Sequence, residues 1–173
     1  MHVLVTVGSR HGSTLEIGEE IADVLERAGN TVQLMDPDDV TSLAGFDVVV
    51  LGSAVYVGRL SESVKALEQR LGGALTAIPL WFFWSGPIGN PPRPVEEPDD
   101  VAVLVRQLKP RGSAVFGGRV ERTELGMSER ALVALVGAKA GDYRDFEEID
   151  RWAGSIAKAI APPRAVRRDT TIH

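Results

Sequence analysis

The chain has 173 residues, of which 44% are hydrophobic and 25% charged, and its formal net charge is -5. These values are typical of one globular domain with a full hydrophobic core, and no apolar run approaches the roughly 20 residues that span a bilayer. The acidic balance argues against general nucleic-acid binding, and the lack of cysteine excludes disulfides, thiolate catalysis and cysteine-ligated metals.

The N-terminal segment predicts a strand, a loop and a helix in succession. Val3–Val7 is a short, valine-rich run ended by Gly8, which is typical of a buried parallel strand. From Leu15 to Gly29 the apolar residues recur at helical spacing, which predicts an amphipathic helix. Because neither a basic region nor a cleavage site precedes the strand, we expect no secretory signal and a cytoplasmic protein.

Four further strands and three further helices follow in alternation. The strands are predicted at Thr31–Met35, Asp47–Leu51, Ile78–Trp84 and Ser113–Phe116, and the helices from the N-cap Ser61 to a stop at Gly72 and Gly73, at Val101–Leu108 and at Phe146–Ile160. This alternation predicts an α/β fold, a doubly wound, five-stranded parallel sheet with helices on both faces. Two strand orders are common for such sheets, and either places a ligand at the carboxyl ends of the strands.

Three segments fall outside this alternation. The proline-rich loop at 86–98 is too long for a simple connection and is a candidate wall beside a site. An insertion at 119–145 predicts one more helix after Ser128, and its apolar stripe consists of Ala131, Leu132, Ala134, Leu135 and Val136. The polar end predicts a flexible tail at 162–173, which leaves one domain at 1–161.

The loop before the first helix has the composition of an anion site. Its residues are Ser9, Arg10, His11, Gly12, Ser13 and Thr14. A helix N-terminus presents unpaired N–H groups and partial positive charge, and small residues let a phosphate approach them. The alternative is a simple capping box, Ser13-x-x-Glu16. The spacing fits neither a P-loop nor a dinucleotide fingerprint, and no nucleophile elbow falls on Ser9 or Ser53.

The loops after the third and fourth predicted strands reach the same edge of such a sheet. The first, Gly52–Val64, carries Tyr56, whose ring could stack on a flat ligand or pack on the surface. The second begins at Trp84, Ser85 and Gly86, whose N–H groups could bind a heterocycle. The aromatic residues just before it are expected in the core: Trp81, Phe82 and Phe83.

Together these three loops resemble the FMN-binding loops of flavodoxin-like proteins, and the resemblance covers nearly the whole chain. It implies the strand order 2-1-3-4-5 and noncovalent FMN, with the phosphate in the first loop and the isoalloxazine between the other two. The implied cofactor-binding residues are Ser9, Arg10, His11, Gly12, Ser13, Thr14, Ser53, Ala54, Val55, Tyr56, Gly58, Trp84, Ser85 and Gly86. The phosphate loop of this family is usually uncharged, so the presence of Arg10 and His11 leaves open that the loop binds a different anion. His11 is either a proton donor or a loop histidine without a role.

The segment at 116–160 is similar to the quinone-dependent, flavodoxin-type protoporphyrinogen oxidases. The shared features are Phe116-x-Gly118-Arg119, the inserted apolar helix, a Gly-Asp-x-Arg-Asp run at 141–145 and a last helix bearing Trp152. The similarity implies a quinone or porphyrinogen partner and an insertion that contacts substrate or a membrane. Because basic and aromatic residues are few around the inserted helix, core packing is expected for it, and peripheral membrane contact stays open as the alternative. The charged residues of the run are expected to form an ion-pair network: Asp142, Arg144 and Asp145.

The sequence therefore predicts an FMN-dependent electron-transfer oxidoreductase that is similar to a quinone-linked protoporphyrinogen dehydrogenase. Two alternatives stay open: an electron carrier that docks on a redox partner without a substrate of its own, and a flavin-free binding domain of the same fold. No metal site, nucleic-acid partner or transmembrane segment is expected. A receiver domain is disfavoured because Gly8-Ser9 and Gly52-Ser53 stand where it needs acidic residues.

Overall fold

The computed structural model describes residues 1–88, 92, 96–121, 123–135, 137 and 139–163. Its helices are α1 Ser13–Arg27, α2 Glu62–Ala77, α3 Asp99–Leu108, α4 Met127–Leu135 and α5 Phe146–Ile160. Its strands are β1 His2–Gly8, β2 Thr31–Met35, β3 Val48–Tyr56, β4 Arg59–Leu60, β5 Leu80–Ser85, β6 Gly112–Phe116, β7 Arg119–Val120 and β8 Gly141–Asp142.

Five parallel strands form the central sheet in the order β2-β1-β3-β5-β6. The fourth and fifth strands predicted from the sequence are β5 and β6, so the doubly wound α/β fold and the order 2-1-3-4-5 are confirmed. The register pairs Gly8 with Ser53, Ala54 with Ser85, and Ser85 with Phe116. The segments that follow β1, β3, β5 and β6 therefore start side by side at the carboxyl edge of the sheet.

Each face of the sheet carries its own hydrophobic core. Successive strand residues point to opposite faces, so the valines of β1 pack against α1 and α5, whereas Leu4 packs on the side of α2 and α3. The aromatic residues of β5 divide in the same way, with Trp81 and Phe83 on the first face and Phe82 on the second. All three are buried, which confirms their predicted place in the core.

Helix α2 runs past the glycine pair at which the sequence predicts a stop. Ser61 is its N-cap as predicted, but the helix continues through Gly72 and Gly73, neither of which has a positive φ. Leu75 beyond them is fully buried, so packing on the sheet outweighs the cost of about 1 kcal/mol for each helical glycine. The helix ends at Ala77, and Ile78 takes an extended conformation because a proline follows it.

The prediction that β3 ends at Leu51 is wrong, because the strand continues to Tyr56. The chain then turns back through Val57 and Gly58, both in the left-handed region at φ 52° and 73°. Tyr56 pairs with Arg59 of β4 across this turn, and two central residues with positive φ are typical of a tight hairpin. The segment predicted as a loop after Leu51 is therefore mainly strand and hairpin, so its side chains are fixed in alternating directions.

The insertion at 119–145 forms a small unit beside the carboxyl edge of the sheet. Strands β7 and β8 pair antiparallel, and α4 lies between them in the chain. The expectation that this helix packs into the core is wrong, because none of its residues is buried and Leu135 is 84% exposed. Leu132 and Val133 line a cavity instead. Val136, the last residue of the predicted apolar stripe, lies outside the described residues.

Two predicted segments include positions outside the described residues. These positions are 89–91 and 93–95 of the proline-rich loop and 164–173 of the C-terminal segment. The wall beside the site and the flexible tail therefore stay predictions. Among the helices that the structure describes, none combines the length and the apolar character needed to cross a bilayer.

Candidate functional site

A cavity of about 330 Å³ opens at the carboxyl edge of the sheet. Its walls come from the start of α1 with the loop before it, the β3–β4 hairpin, the segment after β5, and the insertion. The volume lies within the range of cofactor and small-molecule pockets, about 300–1,000 Å³. Doubly wound sheets bind their ligands at this edge, so the cavity is the candidate functional site.

The structure brings most of the predicted site residues together around the cavity. Those that line it are His11, Ser13, Thr14, Ala54, Val55, Tyr56, Gly58, Ser85 and Gly86. Ser9, Arg10 and Gly12 belong to the same loop but do not line the cavity. The Gly12 N–H donates to Ser9 Oγ at 3.1 Å, so the loop is closed by a hydrogen bond of its own.

Two predicted site residues point into the core. Trp84 is 6% exposed and packs between the sheet and the layer of α2 and α3. Ser53 is fully buried, and its hydroxyl donates to the Ala54 carbonyl oxygen at 2.9 Å and accepts from the Ser61 N–H at 3.0 Å. Ser53 lies inside a strand rather than in a loop, because β3 extends further than the sequence predicts. Trp84 is the last residue of its predicted strand, and β5 continues one residue past it to Ser85. Their side chains stabilise the sheet instead of facing the cavity.

The N-terminus of α1 presents open hydrogen-bond donors at the cavity. Gly12 is the N-cap, in the left-handed region at φ 81°, and the Glu16 N–H donates to the Gly12 carbonyl oxygen at 3.0 Å. The N–H groups of Ser13, Thr14 and Leu15 therefore have no partner within the helix. Because no side chain caps this end, the capping-box alternative is wrong. Unpaired donors and the helix dipole favour an anion here.

A buried arginine supports this end of α1. Arg144, whose side chain is 4% exposed, donates to the Ser13 carbonyl oxygen at 3.1 Å and to Glu16 Oε2 at 2.6 Å. Asp142 Oδ2 lies 2.7 Å from Arg144 Nη2. Hydrogen bonds from Arg144 hold the pKa of Glu16 and of Asp142 below their ordinary values. The predicted pair of Asp142 and Arg144 is confirmed, whereas Asp145 caps α5 instead.

Arg119 brings a second guanidinium to the same place. Its Nη1 lies 3.0 Å from Glu16 Oε1, and its Nε lies 3.3 Å from Glu121 Oε1 without the alignment of a hydrogen bond. Arg119 also lines the cavity. The sequence singles out Arg119 only as part of a motif, since its approach to Glu16 depends on the fold of the insertion. Arg119 and Arg144, both in the insertion, thus contact Glu16 in the first turn of α1 and stabilise this turn.

Glu129 of α4 contacts the predicted phosphate loop directly. Its Oε1 lies 3.2 Å from Arg10 Nη1 and 3.3 Å from His11 Nε2. The Gly126 N–H donates to Glu129 Oε2 at 2.8 Å and is the main reason why the pKa of Glu129 lies below its ordinary value. No sequence pattern points to this contact, because 118 residues separate Glu129 from His11.

Tyr56 forms an aromatic wall at the end of β3. Its ring meets the ring of His11 edge-on, with centroids 5.5 Å apart and planes at 90°. Burial, together with a smaller effect of Glu129, raises the pKa of Tyr56 to about 12. The hydroxyl is therefore protonated at neutral pH. The residue offers a ligand an apolar face and a neutral hydrogen-bonding edge.

The insertion supplies apolar walls that the sequence analysis does not assign to the site. Val120, Leu125, Leu132 and Val133 line the cavity opposite the sheet. Leu132 belongs to the predicted apolar stripe of the helix, whereas Val133 does not. Periodicity shows which residues are apolar but not what they face, so it does not distinguish a core helix from a helix that lines a cavity.

Comparison with known proteins identifies the family. The profile described as Flavodoxin domain matches residues 4–147, which is most of the chain. The chain belongs to the flavodoxin family. Flavodoxin 1 from Bacillus cereus is 20% identical, with a TM-score of 0.61 over 93% of this chain and 100% of that one. A search of curated proteins finds no match.

Other solved structures share the flavodoxin fold. The flavodoxin of Streptococcus pneumoniae TIGR4 is 14% identical, with a TM-score of 0.61 over 92% of this chain and 100% of that one. The rubredoxin oxygen:oxidoreductase of Desulfovibrio gigas is 15% identical, with a TM-score of 0.62 over 91% of this chain and 35% of that one. At these identities the likeness shows the fold alone.

FMN is the cofactor of the flavodoxin family, and the residues around the cavity fit it in three respects. The volume suits a cofactor, the start of α1 presents unpaired N–H groups to an anion, and Tyr56 offers an aromatic face to a ring. One feature departs from a simple phosphate loop. Arg10 and His11 already contact the Glu129 carboxylate.

Proposed function

We propose that the chain binds FMN noncovalently in this cavity and transfers electrons between a donor and a redox partner. The observation that supports this most strongly is the open N-terminus of α1 beside the Tyr56 ring, because a flavin mononucleotide needs an anion site and a ring wall together. When bound, FMN supplies the redox chemistry, and the protein supplies binding, orientation and electrostatics. We assign this function to residues 1–161.

Each part of the site has a separate task in this proposal. The N–H groups and hydroxyls of Ser13 and Thr14 bind the phosphate, and Arg144 fixes this turn through its hydrogen bond to the Ser13 carbonyl oxygen. The ring lies between Tyr56 and the backbone after β5 at Ser85 and Gly86. The protonated Tyr56 hydroxyl is available to donate a hydrogen bond at neutral pH.

The finer proposal is that the chain is itself an enzyme, a dehydrogenase that passes electrons to a quinone, with a porphyrinogen-type substrate. The apolar wall of the insertion supports it, because Leu132 and Val133 extend the cavity beyond the flavin-binding segments and suit an apolar, flat molecule. The alternative is an electron carrier that docks on a redox partner, and family membership supports it equally.

Reconstitution tests the binding proposal. The purified protein is mixed with excess FMN and desalted, and its visible absorption spectrum is recorded. Retained flavin bands at a ratio near one FMN per chain are expected. A colourless protein after this treatment would overturn the proposal and leave the flavin-free binding domain.

Turnover separates the enzyme from the carrier. The FMN-loaded protein is assayed with a porphyrinogen as electron donor and a soluble quinone as acceptor. Repeated turnover by the protein alone is expected for the enzyme. Reduction of the bound flavin that never exceeds one equivalent would assign the protein as a carrier.

A further inference from the structure

Glu129 contacts the side chains of Arg10 and His11 in the loop to which we assign the phosphate. One carboxylate oxygen lies 3.2 Å from the Arg10 guanidinium and 3.3 Å from the His11 imidazole. The side chains of Glu129 and His11 are 12% and 19% exposed, whereas the Arg10 side chain is 70% exposed, so only the contact with His11 is shielded from water. A phosphate group bound at this loop would seek the same two partners, since charge-assisted hydrogen bonds to Arg and His are its strongest protein contacts.

The same contact holds α4 against the rest of the molecule. None of the residues of α4 is buried, and Met127 and Leu135 at its two ends are 88% and 84% exposed. Within the described part of the chain, Glu129 makes the only hydrogen bonds that join α4 to a segment outside the insertion. A helix with so little buried surface has low local stability, and the loss of an anchoring contact lowers it further.

We propose that Glu129 competes with a phosphate group for Arg10 and His11, so that Glu129 sets the phosphate affinity of the site and α4 loses this contact, and is loosened beside the cavity, when phosphate binds. The proposal rests on the proposed function only where FMN supplies the phosphate group. The same competition is expected with any phosphate monoester or with inorganic phosphate. Two anions cannot share the Arg10 and His11 pair without strong repulsion.

Thermodynamic linkage makes the competition measurable from both sides. If phosphate weakens the docking of α4, then loss of the α4 contact must strengthen phosphate binding by the same factor. Glu129→Gln removes the charge and keeps the shape of the side chain. We expect this variant to bind inorganic phosphate and FMN about tenfold more tightly than the wild type, a typical size for coupling between two sites.

Glu124→Gln is the matched control. Glu124 also lines the cavity and carries the same charge, but among the described contacts it reaches neither Arg10 nor His11. Its replacement tests whether general charge repulsion alone is enough to change the affinity for phosphate. We expect less than a twofold change in the affinity for phosphate.

Amide hydrogen exchange, followed peptide by peptide, tests the loosening of α4. Inorganic phosphate is added to the wild type at constant ionic strength, with chloride as the balancing salt. We expect faster exchange in residues 127–135 with phosphate, and equally fast exchange in Glu129→Gln without it. Unchanged or slower exchange with saturating phosphate would overturn the proposal, as would equal phosphate affinities of Glu129→Gln and Glu124→Gln.

Titration with FMN and with riboflavin separates this proposal from the proposed function. Tighter phosphate binding by Glu129→Gln without any flavin binding supports the competition and overturns the FMN function. Equal FMN affinity in the wild type and both variants keeps the FMN function and overturns the competition. Binding of neither phosphate nor FMN by any of the three proteins overturns both.

Discussion

Gly12 positions the anion site through its backbone. Its left-handed conformation at φ 81° starts α1 and leaves the next three N–H groups without partners in the helix. A side chain here would meet open space, so the cost of a substitution is conformational rather than steric. Gly29 at the other end of α1 has the same properties, with φ 90° and no atom near a Cβ.

Gly12→Val is expected to impair FMN binding while Gly29→Val does not. A β-branched residue in the left-handed region costs about 1–2 kcal/mol, so both variants lose similar stability. Only the first moves the N–H groups of Ser13 and Thr14, and we expect it to lose FMN affinity by at least about tenfold. Fluorescence titration measures the FMN affinity, and thermal unfolding measures the stability of each variant. Equal FMN affinity of the two variants would contradict the assignment of the phosphate to this loop.

Tyr56 is expected to contribute its ring rather than its hydroxyl to flavin binding. Tyr56→Ser removes the aromatic wall and should weaken binding of FMN and riboflavin alike by about tenfold, the value of one good aromatic contact. Tyr56→Phe keeps the ring and should bind both flavins nearly as the wild type does. The dissociation constants of FMN and riboflavin, measured for the wild type and both variants, distinguish the role of the ring from that of the hydroxyl. A loss in Tyr56→Phe as large as in Tyr56→Ser would assign the effect to the hydroxyl.

At the scale of elements, the β7–β8 unit and α1 are joined by ion pairs. Arg144 bridges Glu16 of α1 and Asp142 of β8, and it keeps the pKa of both carboxyl groups below their ordinary values. In the unfolded chain these groups bind protons at higher pH. Their contribution to stability is therefore present above the ordinary carboxyl pKa, near 4, and is lost as the pH falls through the lower values of the folded state.

Arg144→Gln is expected to flatten the acid side of the stability profile. Without the guanidinium, Glu16 and Asp142 have nearly the same pKa in the folded and the unfolded chain, so less stability is lost between about pH 5 and pH 2. Arg106→Gln, at an exposed position in α3, removes the same charge and should keep the wild-type slope. Urea unfolding at several pH values measures the profile. A steeper acid loss in Arg144→Gln would contradict this account.

One face of helix α4 is expected to contact the substrate. Leu132→Glu places a charge at the cavity wall, whereas Leu135→Glu on the same helix adds it at an exposed position outside the cavity. We expect the first variant to lose at least about tenfold in turnover with a quinone, because burying an unpaired charge beside an apolar substrate is costly. The second should keep turnover. Equal rates in steady-state assays would remove α4 from the substrate site.

At the scale of the whole molecule, the sheet and the main site segments are predictable from the sequence. Valine-rich runs ended by glycine mark β1 and β3, and the order of the loops places their residues at one edge. The prediction fails where the structure depends on distant partners. Gly52 signals a strand end, yet it lies inside β3 opposite Phe83, and Trp84 packs in the core because β5 continues past it.

The contacts of the insertion could not be predicted for a similar reason. The apolar pattern of α4 is the same for a core helix and for a helix that covers a cavity. The pairing of Glu129 with Arg10 and of Arg144 with Glu16 joins segments more than 100 residues apart in sequence. No local rule connects such positions, since only the fold of the whole chain brings them together.

The ratio of the FMN and riboflavin dissociation constants tests the central claim most directly, since the two flavins differ only in the phosphate. Titration followed by flavin fluorescence gives both constants for the wild-type protein under one set of conditions. If the start of α1 binds the phosphate, two or more charge-assisted hydrogen bonds should make FMN about 100-fold tighter. Equal affinities for FMN and riboflavin would contradict the assignment of this cavity as an FMN site anchored at α1.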